Sequence, residues 1–224
     1  RSIHPLAGFV AGWISLLAGF TGAIALAALA LEAYVVPPAS QHVIPANTVA
    51  TITVLFAGLT HGLHVRYGAA LQNTAVAIKL VLIAGFVLYA LLGTSVGSWE
   101  GVIAWRNAGP AGFSVSAFAM TLMWVPYSYS GFNASTYVTS EVKRASKNVP
   151  GTMIQGTLII MLVYLLLNGI FVFAPQPGDI AFQQDVAALA ALALAGEPLA
   201  NVMRGIIILA LFTSVSAMVM AGPR

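Results

Sequence analysis

Several apolar blocks, each long enough to cross a hydrocarbon layer about 30 Å thick at about 1.5 Å of rise per residue, decide what this chain can fold into. Of its 224 residues 59% are hydrophobic and 7% charged. A soluble domain builds its surface from roughly 25% charged residues, so these blocks are read as transmembrane helices. The chain is expected to be all-α, a polytopic membrane helix bundle forming a single transmembrane domain over 1–224, lodged in the cell membrane with the lipid bilayer as its first partner. It begins at Arg1 and stops at Arg224 beside a span, and is read as a piece with both ends missing.

Six spans are expected: Pro5 to Tyr34, Asn47 to Thr60, Gly68 to Gly93, Phe113 to Thr139, Thr152 to Ala174 and Asn201 to Gly222. Pro37, Pro38 and Pro45 end the first, since proline cannot continue a helix. The second is short and needs packing or local thinning of the bilayer to cross. Val186 to Ala195 is Ala- and Leu-rich but too short to span, and is expected to form an extracellular or re-entrant helix. Alternating the sides puts Arg1, Arg66, Lys143, Arg144, Lys147 and Arg224 on one face and Arg106 and Arg204 on the other. The positive-inside rule makes the first face cytoplasmic. The net charge of +3 therefore has a topological use, and no basic stripe with interleaved aromatics points to nucleic acid. Cysteine is absent, which excludes disulfide frameworks and thiol chemistry. His61 and His64 fall in a loop, and no Asp lies deep in a span. An intramembrane enzyme lacks the nucleophile, base or metal ligands it needs, and no cofactor is called for.

Trp124-Val-Pro126-Tyr127-Ser128-Tyr129-Ser130-Gly131-Phe132-Asn133 in the fourth span is a poor helix centre. Pro126 has no amide hydrogen and Gly131 tolerates backbone angles closed to other residues. A discontinuous helix of this kind presents carbonyls at one half-helix end and amides at the next, suited to a charged small molecule near the midplane. A proline kink packed by its neighbours is the plainer alternative. Lys79 lies about 16 Å along its helix from Gly68, where a charge costs about 2.5–3.5 kcal/mol on insertion scales, so it is expected to face protein and to have a task. Gln72 and Phe86 share its stripe, seven residues to either side. Asn73 and Asn168 are expected to bond between helices, and Glu32 to be a solvated end residue. Trp99 and Trp105 read as interfacial anchors.

The run at 124–133, followed by Glu141-Val142-Lys143 and Asn148-Val149-Pro150, resembles the sixth helix and following loop of the amino acid/polyamine/organocation (APC) permease superfamily. Gly12 and Trp13 fit its third helix, Gly68, Gln72, Asn73 and Lys79 its fifth, Tyr164 and Asn168 its seventh, and Ala221-Gly222-Pro223-Arg224 the end of its eighth. The resemblance implies helices three to eight of a leucine-transporter-like inverted-repeat fold, with the first helix outside the chain. It implies an amino acid transporter that works by alternating access, sodium-independent, with proton-coupled symport or exchange. Tyr127 would then be the aromatic gate over the substrate, and Ser128, Tyr129, Ser130 and Gly131 the unwound backbone whose carbonyls take the amino group. Asn133 stands where members specialised for basic substrates carry an acid. It can hydrogen-bond but cannot neutralise a second positive charge, which disfavours polyamines or arginine as substrates. Ser216 would face the substrate cavity. Lys79, with Ser214, would couple ions, its ammonium standing where relatives bind sodium. Alternatives are a polyamine or organic-cation antiporter, or a non-transport channel or receptor scaffold.

Overall fold

A computed structural model describes residues 4–36, 43–63, 65–94, 99–107, 114–129, 131, 136, 139, 142–183 and 185–222. Among them every regular element is helical. Four helices are long and apolar enough to cross a membrane: Pro5–Val35, Tyr67–Gly93, Ala145–Phe173 and Val186–Ala221. Only 6% of the apolar window of Ala145–Phe173 is buried, and Ile154, Leu158, Leu162 and Leu165 are all exposed. Water would not tolerate that face; lipid does, provided the backbone bonds are satisfied within the helix.

Helix α1 runs from Pro5 to Val35. His4 caps its start, Nδ1 accepting from the Leu6 amide at 3.2 Å. Its middle, Ser15–Gly22, is a π-helix in which the Thr21 hydroxyl donates to the carbonyl of Leu16, five residues back. Helix α2 is Thr48–Leu63 and α3 is Val65–Leu88, prolonged by a π-turn Tyr89–Gly93. The last turn of α2 includes His61, which is buried rather than in a loop. Helices α4, Glu100–Asn107, and α5, Val115–Ser128, follow. Helix α6 is Ala145–Phe173, starting seven residues before the expected Thr152. Pro150 sits early in the helix, where only one backbone bond is given up, and the Asn148 side chain donates to the Lys143 carbonyl at 2.7 Å. A single turn, α7, Pro177–Ile180, precedes α8, Val186–Ala221. Ala195 and Gly196 interrupt α8, Gly196 at φ 73 and ψ −167, a region open essentially to glycine alone. Pro198 then occupies the first turn of the resumed helix, where its missing amide costs nothing.

The chain divides into two compact units, 1–85 with 202–224, and 86–201. In the first, small side chains let α1, α2 and the 202–221 part of α8 approach closely around Ala28, Ala50, Ala57 and Val215, with Ile24, Val54 and Val219 packed on them. Glu32 is not a solvated end residue. Its carboxylate accepts from the amides of Asn47 at 2.7 Å and Ala50 at 2.9 Å, capping the N-terminus of α2, where a negative charge is favoured by the helix dipole. In the second unit, α4 packs on α6 through Gly101, where any Cβ would meet the carbonyls of Val172, Phe173 and Pro175. Gln176 donates to the Glu100 carboxylate at 2.9 Å beside this contact.

Candidate functional site

In the first unit the polar groups of three helices converge. On α3, Gln72 and Lys79 lie two turns apart, so their side chains leave the helix on one stripe. Both end on Thr213 of α8. The Lys79 ammonium donates to the Thr213 hydroxyl at 3.0 Å, and the Gln72 amide nitrogen donates to the Thr213 main-chain carbonyl at 3.0 Å. The Thr213 hydroxyl itself donates to the Ala210 carbonyl at 2.9 Å, which leaves its lone pairs for Lys79. Thr213 is 1% exposed and Gln72 8%. The Gln72 orientation follows from its acceptor: a carbonyl receives only the NH2 end, so Oε1 points away, buried and with no hydrogen-bond partner among the described residues. A buried acceptor left in that state costs about 1–3 kcal/mol.

The last turn of α2 adds His61, whose Nε2 is 2.8 Å from the Ser216 hydroxyl on α8. The ring occupies the space left by the missing side chain of Gly68, since a Cβ there would collide with it. The sequence puts Gln72 on the stripe of Lys79, and the resemblance assigns Ser214 to Lys79 but Ser216 to the substrate cavity; Thr213 and His61 were missed. The only signal for His61 was a glycine seven residues on, which gains meaning once the two helices fold back on each other. Ser216 is 2% exposed, with its hydroxyl on His61. The Ser214 hydroxyl donates to Ala210, one turn back on its own helix, at 3.0 Å.

The second unit holds the irregular end of α5. Pro126 leaves the Leu122 carbonyl without its helical amide, and the helix stops two residues later at Ser128. The Ser128 hydroxyl donates to the Trp124 carbonyl at 3.0 Å, and the Tyr129 amide closes a tight turn onto Pro126 at 3.2 Å. Gly131 has φ 89, in the left-handed region. The Ser128 carbonyl accepts the Tyr164 hydroxyl of α6 at 3.0 Å, while the Tyr129 and Tyr164 rings meet edge to face, 5.4 Å apart. Among the described residues Asn168 does not bridge helices; it donates to the Tyr164 carbonyl of its own helix at 2.8 Å. Ser130, Asn133 and the side chain of Tyr127 lie outside the described residues. A separate cavity of about 580 Å3 is lined by Glu100, Gln176, Asp179, Gln183, Leu189 and Leu192. Among the described residues no group of three His, Cys, Asp or Glu is placed to hold a metal.

Two features of this geometry can serve ligands chemically. A helix end with backbone polar groups turned out of the ladder offers acceptors to a charged small molecule, and an ammonium on a hydroxyl supplies positive charge inside an apolar helix. Comparison with known proteins points the same way. A profile of the family described as "Amino acid permease" matches residues 1–224. The b(0,+)-type amino acid transporter 1 of Oryctolagus cuniculus is 26% identical over 84% of this chain and 39% of its own length. Solute carrier family 7 member 13 of Rattus norvegicus is 27% identical over 84% of this chain and 40% of its own length. The large neutral amino acids transporter small subunit 2 of Homo sapiens is 26% identical over 88% of this chain and 37% of its own length. The chain thus spans about two fifths of the length of these relatives. With four apolar helices of spanning length and a family match along its whole length, this is a multi-pass protein of the plasma membrane, and the chain belongs to the amino acid permease family of the APC superfamily.

Proposed function

We propose that the full-length protein is a secondary active transporter of amino acids, sodium-independent, working by alternating access with proton-coupled symport or exchange. The observation that carries this reading is the Lys79 ammonium on the Thr213 hydroxyl, deep in an apolar helix. An intramembrane charge is expensive and is retained where it has a task. A lysine in this place supplies positive charge without sodium, and it can give up and regain that charge with a proton during a transport cycle. Ser214, beside Thr213, completes the coupling site. Substrate is held by the backbone from Ser128 through Tyr129 and Ser130 to Gly131, with Tyr127 as its aromatic gate and Asn133 as a hydrogen-bonding residue. The transporters named above are related to this chain, which supports amino acids as the substrate class. All six spans are taken to form one transmembrane domain.

Uptake into vesicles reconstituted with the full-length protein tests the reading. Saturable accumulation of a labelled amino acid in sodium-free buffer is expected, with a changed rate and pH dependence in Lys79→Ala. No accumulation of any of the common amino acids would end the transport reading. A strict sodium requirement, or Lys79→Ala behaving as wild type, would end the coupling role of Lys79 alone.

A further inference from the structure

We propose that Gln72 is a positioning residue for Lys79, fixing Thr213 where its hydroxyl receives the ammonium; this rests on the coupling role given to Lys79 above. Lysine is a point charge on a flexible four-carbon stem and follows its acceptor rather than placing it. Gln72 is shorter and planar at its tip, and it is buried, with its amide nitrogen on the Thr213 main-chain carbonyl. That bond fixes both the height and the rotation of α8 at the residue whose hydroxyl Lys79 uses. The second observation is the buried Oε1, which has no partner among the described residues. A leucine or methionine would fill the same volume without that penalty, so packing alone does not account for an amide here, whereas the bond to Thr213 does.

Few other titratable or charged groups belong to the helices around this cluster. His61 of α2 is engaged with Ser216, and Glu32 of α1 caps α2. Arg204 of α8 is nine residues from Thr213, about 13.5 Å along the helix. His64 and Arg66, between α2 and the start of the α3 stripe, have side chains outside the described residues.

The test is initial uptake of a tritiated L-amino acid mixture by the full-length protein in vesicles, from acid to alkaline pH. It compares wild type, Gln72→Leu, Thr213→Val, their double variant and Lys79→Ala, each with its thermal midpoint. Thr213→Val keeps the carbonyl that Gln72 uses and loses the hydroxyl that Lys79 uses. The expected result is a Gln72→Leu protein at least as thermostable as wild type, with a several-fold fall in uptake and a pH profile moved in the direction of Thr213→Val. The double variant should go no further than Thr213→Val, because the two changes act on one link. A wild-type profile in Gln72→Leu while Lys79→Ala moves it, or additive effects in the double variant, overturns the positioning role and leaves the coupling role standing. An unmoved profile in Lys79→Ala fells both. If Gln72→Leu does not fold, Gln72→Met takes its place; failure of both to fold makes Gln72 a packing residue and overturns the proposal.

Discussion

The Gln72–Lys79–Thr213 cluster and the end of α5 are both polar places in apolar helices, but they handle their polar groups in opposite ways. In the first, three regular helices keep their backbone bonds, and side chains reach across from one helix to the next: Lys79 and Gln72 to Thr213, His61 to Ser216. In the second the backbone itself leaves the helix just after Ser128, two residues past Pro126, and turns to positive φ at Gly131, and the groups are more exposed. Buried side-chain networks hold one arrangement and raise the cost of any partial loss. A helix end with carbonyls outside the ladder keeps acceptors that a visiting molecule can use. The first arrangement suits a group that stays with the protein, such as a coupling charge, and the second a group that comes and goes.

Gly131 offers the largest expected effect and the sharpest way to break this contrast. Among the described residues no atom lies within 4 Å of a Cβ built there, so the resistance tested is that of the backbone angle. Forcing a β-branched residue to φ 89 costs roughly 1–3 kcal/mol. Gly131→Val should lower initial uptake about tenfold, about the factor that 1.4 kcal/mol makes, at unchanged membrane insertion. Gly131→Asn should keep more activity, because asparagine visits positive φ more readily. Equal rates for the two variants, measured per reconstituted protein, would show that the backbone angle is not what matters.

Gly68 tests the other side by the opposite route, because there the space is filled and the backbone is ordinary helix. A Cβ meets the His61 ring and comes within 3.1 Å of the Thr60 carbonyl, so Gly68→Val drives the imidazole off Ser216. Overpacking of this kind costs about 1–3 kcal/mol, and the thermal midpoint in detergent should fall accordingly. A Gly68→Val protein as stable as wild type would mean that the ring has another seat.

These two glycines also show how far the sequence could be read. Gly131 was legible because proline, hydroxyls and glycine within six residues of an apolar run contradict a regular helix on local grounds. Lys79 was legible because a charge has few tolerable places in a span, and Gln72 followed from a seven-residue spacing. Gly68 looked like any helix glycine, and His61 like a loop residue, because the close approach of α2 and α3 is a tertiary fact with no periodicity of its own. Glu32 misled for the same reason. The amides it caps are 15 and 18 residues away, across a proline-rich connection. The start of α6 was placed late because Asn148-Val149-Pro150 reads as a stop, whereas a proline in the opening turns removes little.

The smallest expected effect separates the two regions most finely, and it concerns Tyr164. Its hydroxyl holds the Ser128 carbonyl at the end of α5, while its ring packs on Tyr129. Tyr164→Phe removes the first contact and keeps the second. Hydrogen bonds between membrane helices average about 0.6 kcal/mol in measured cases, so the thermal midpoint should barely move. The Ser128 carbonyl, however, belongs to the backbone that is proposed to take the substrate amino group. Released from Tyr164 it gains freedom, and the apparent affinity for amino acid should weaken by a few-fold at nearly unchanged maximal rate, since a less ordered acceptor must be ordered again on binding. A shift in maximal rate with affinity intact would place the Tyr164 contact in the moving step instead. No change in either would make the Tyr164 bond a packing detail, and Ser128 would then need another holder.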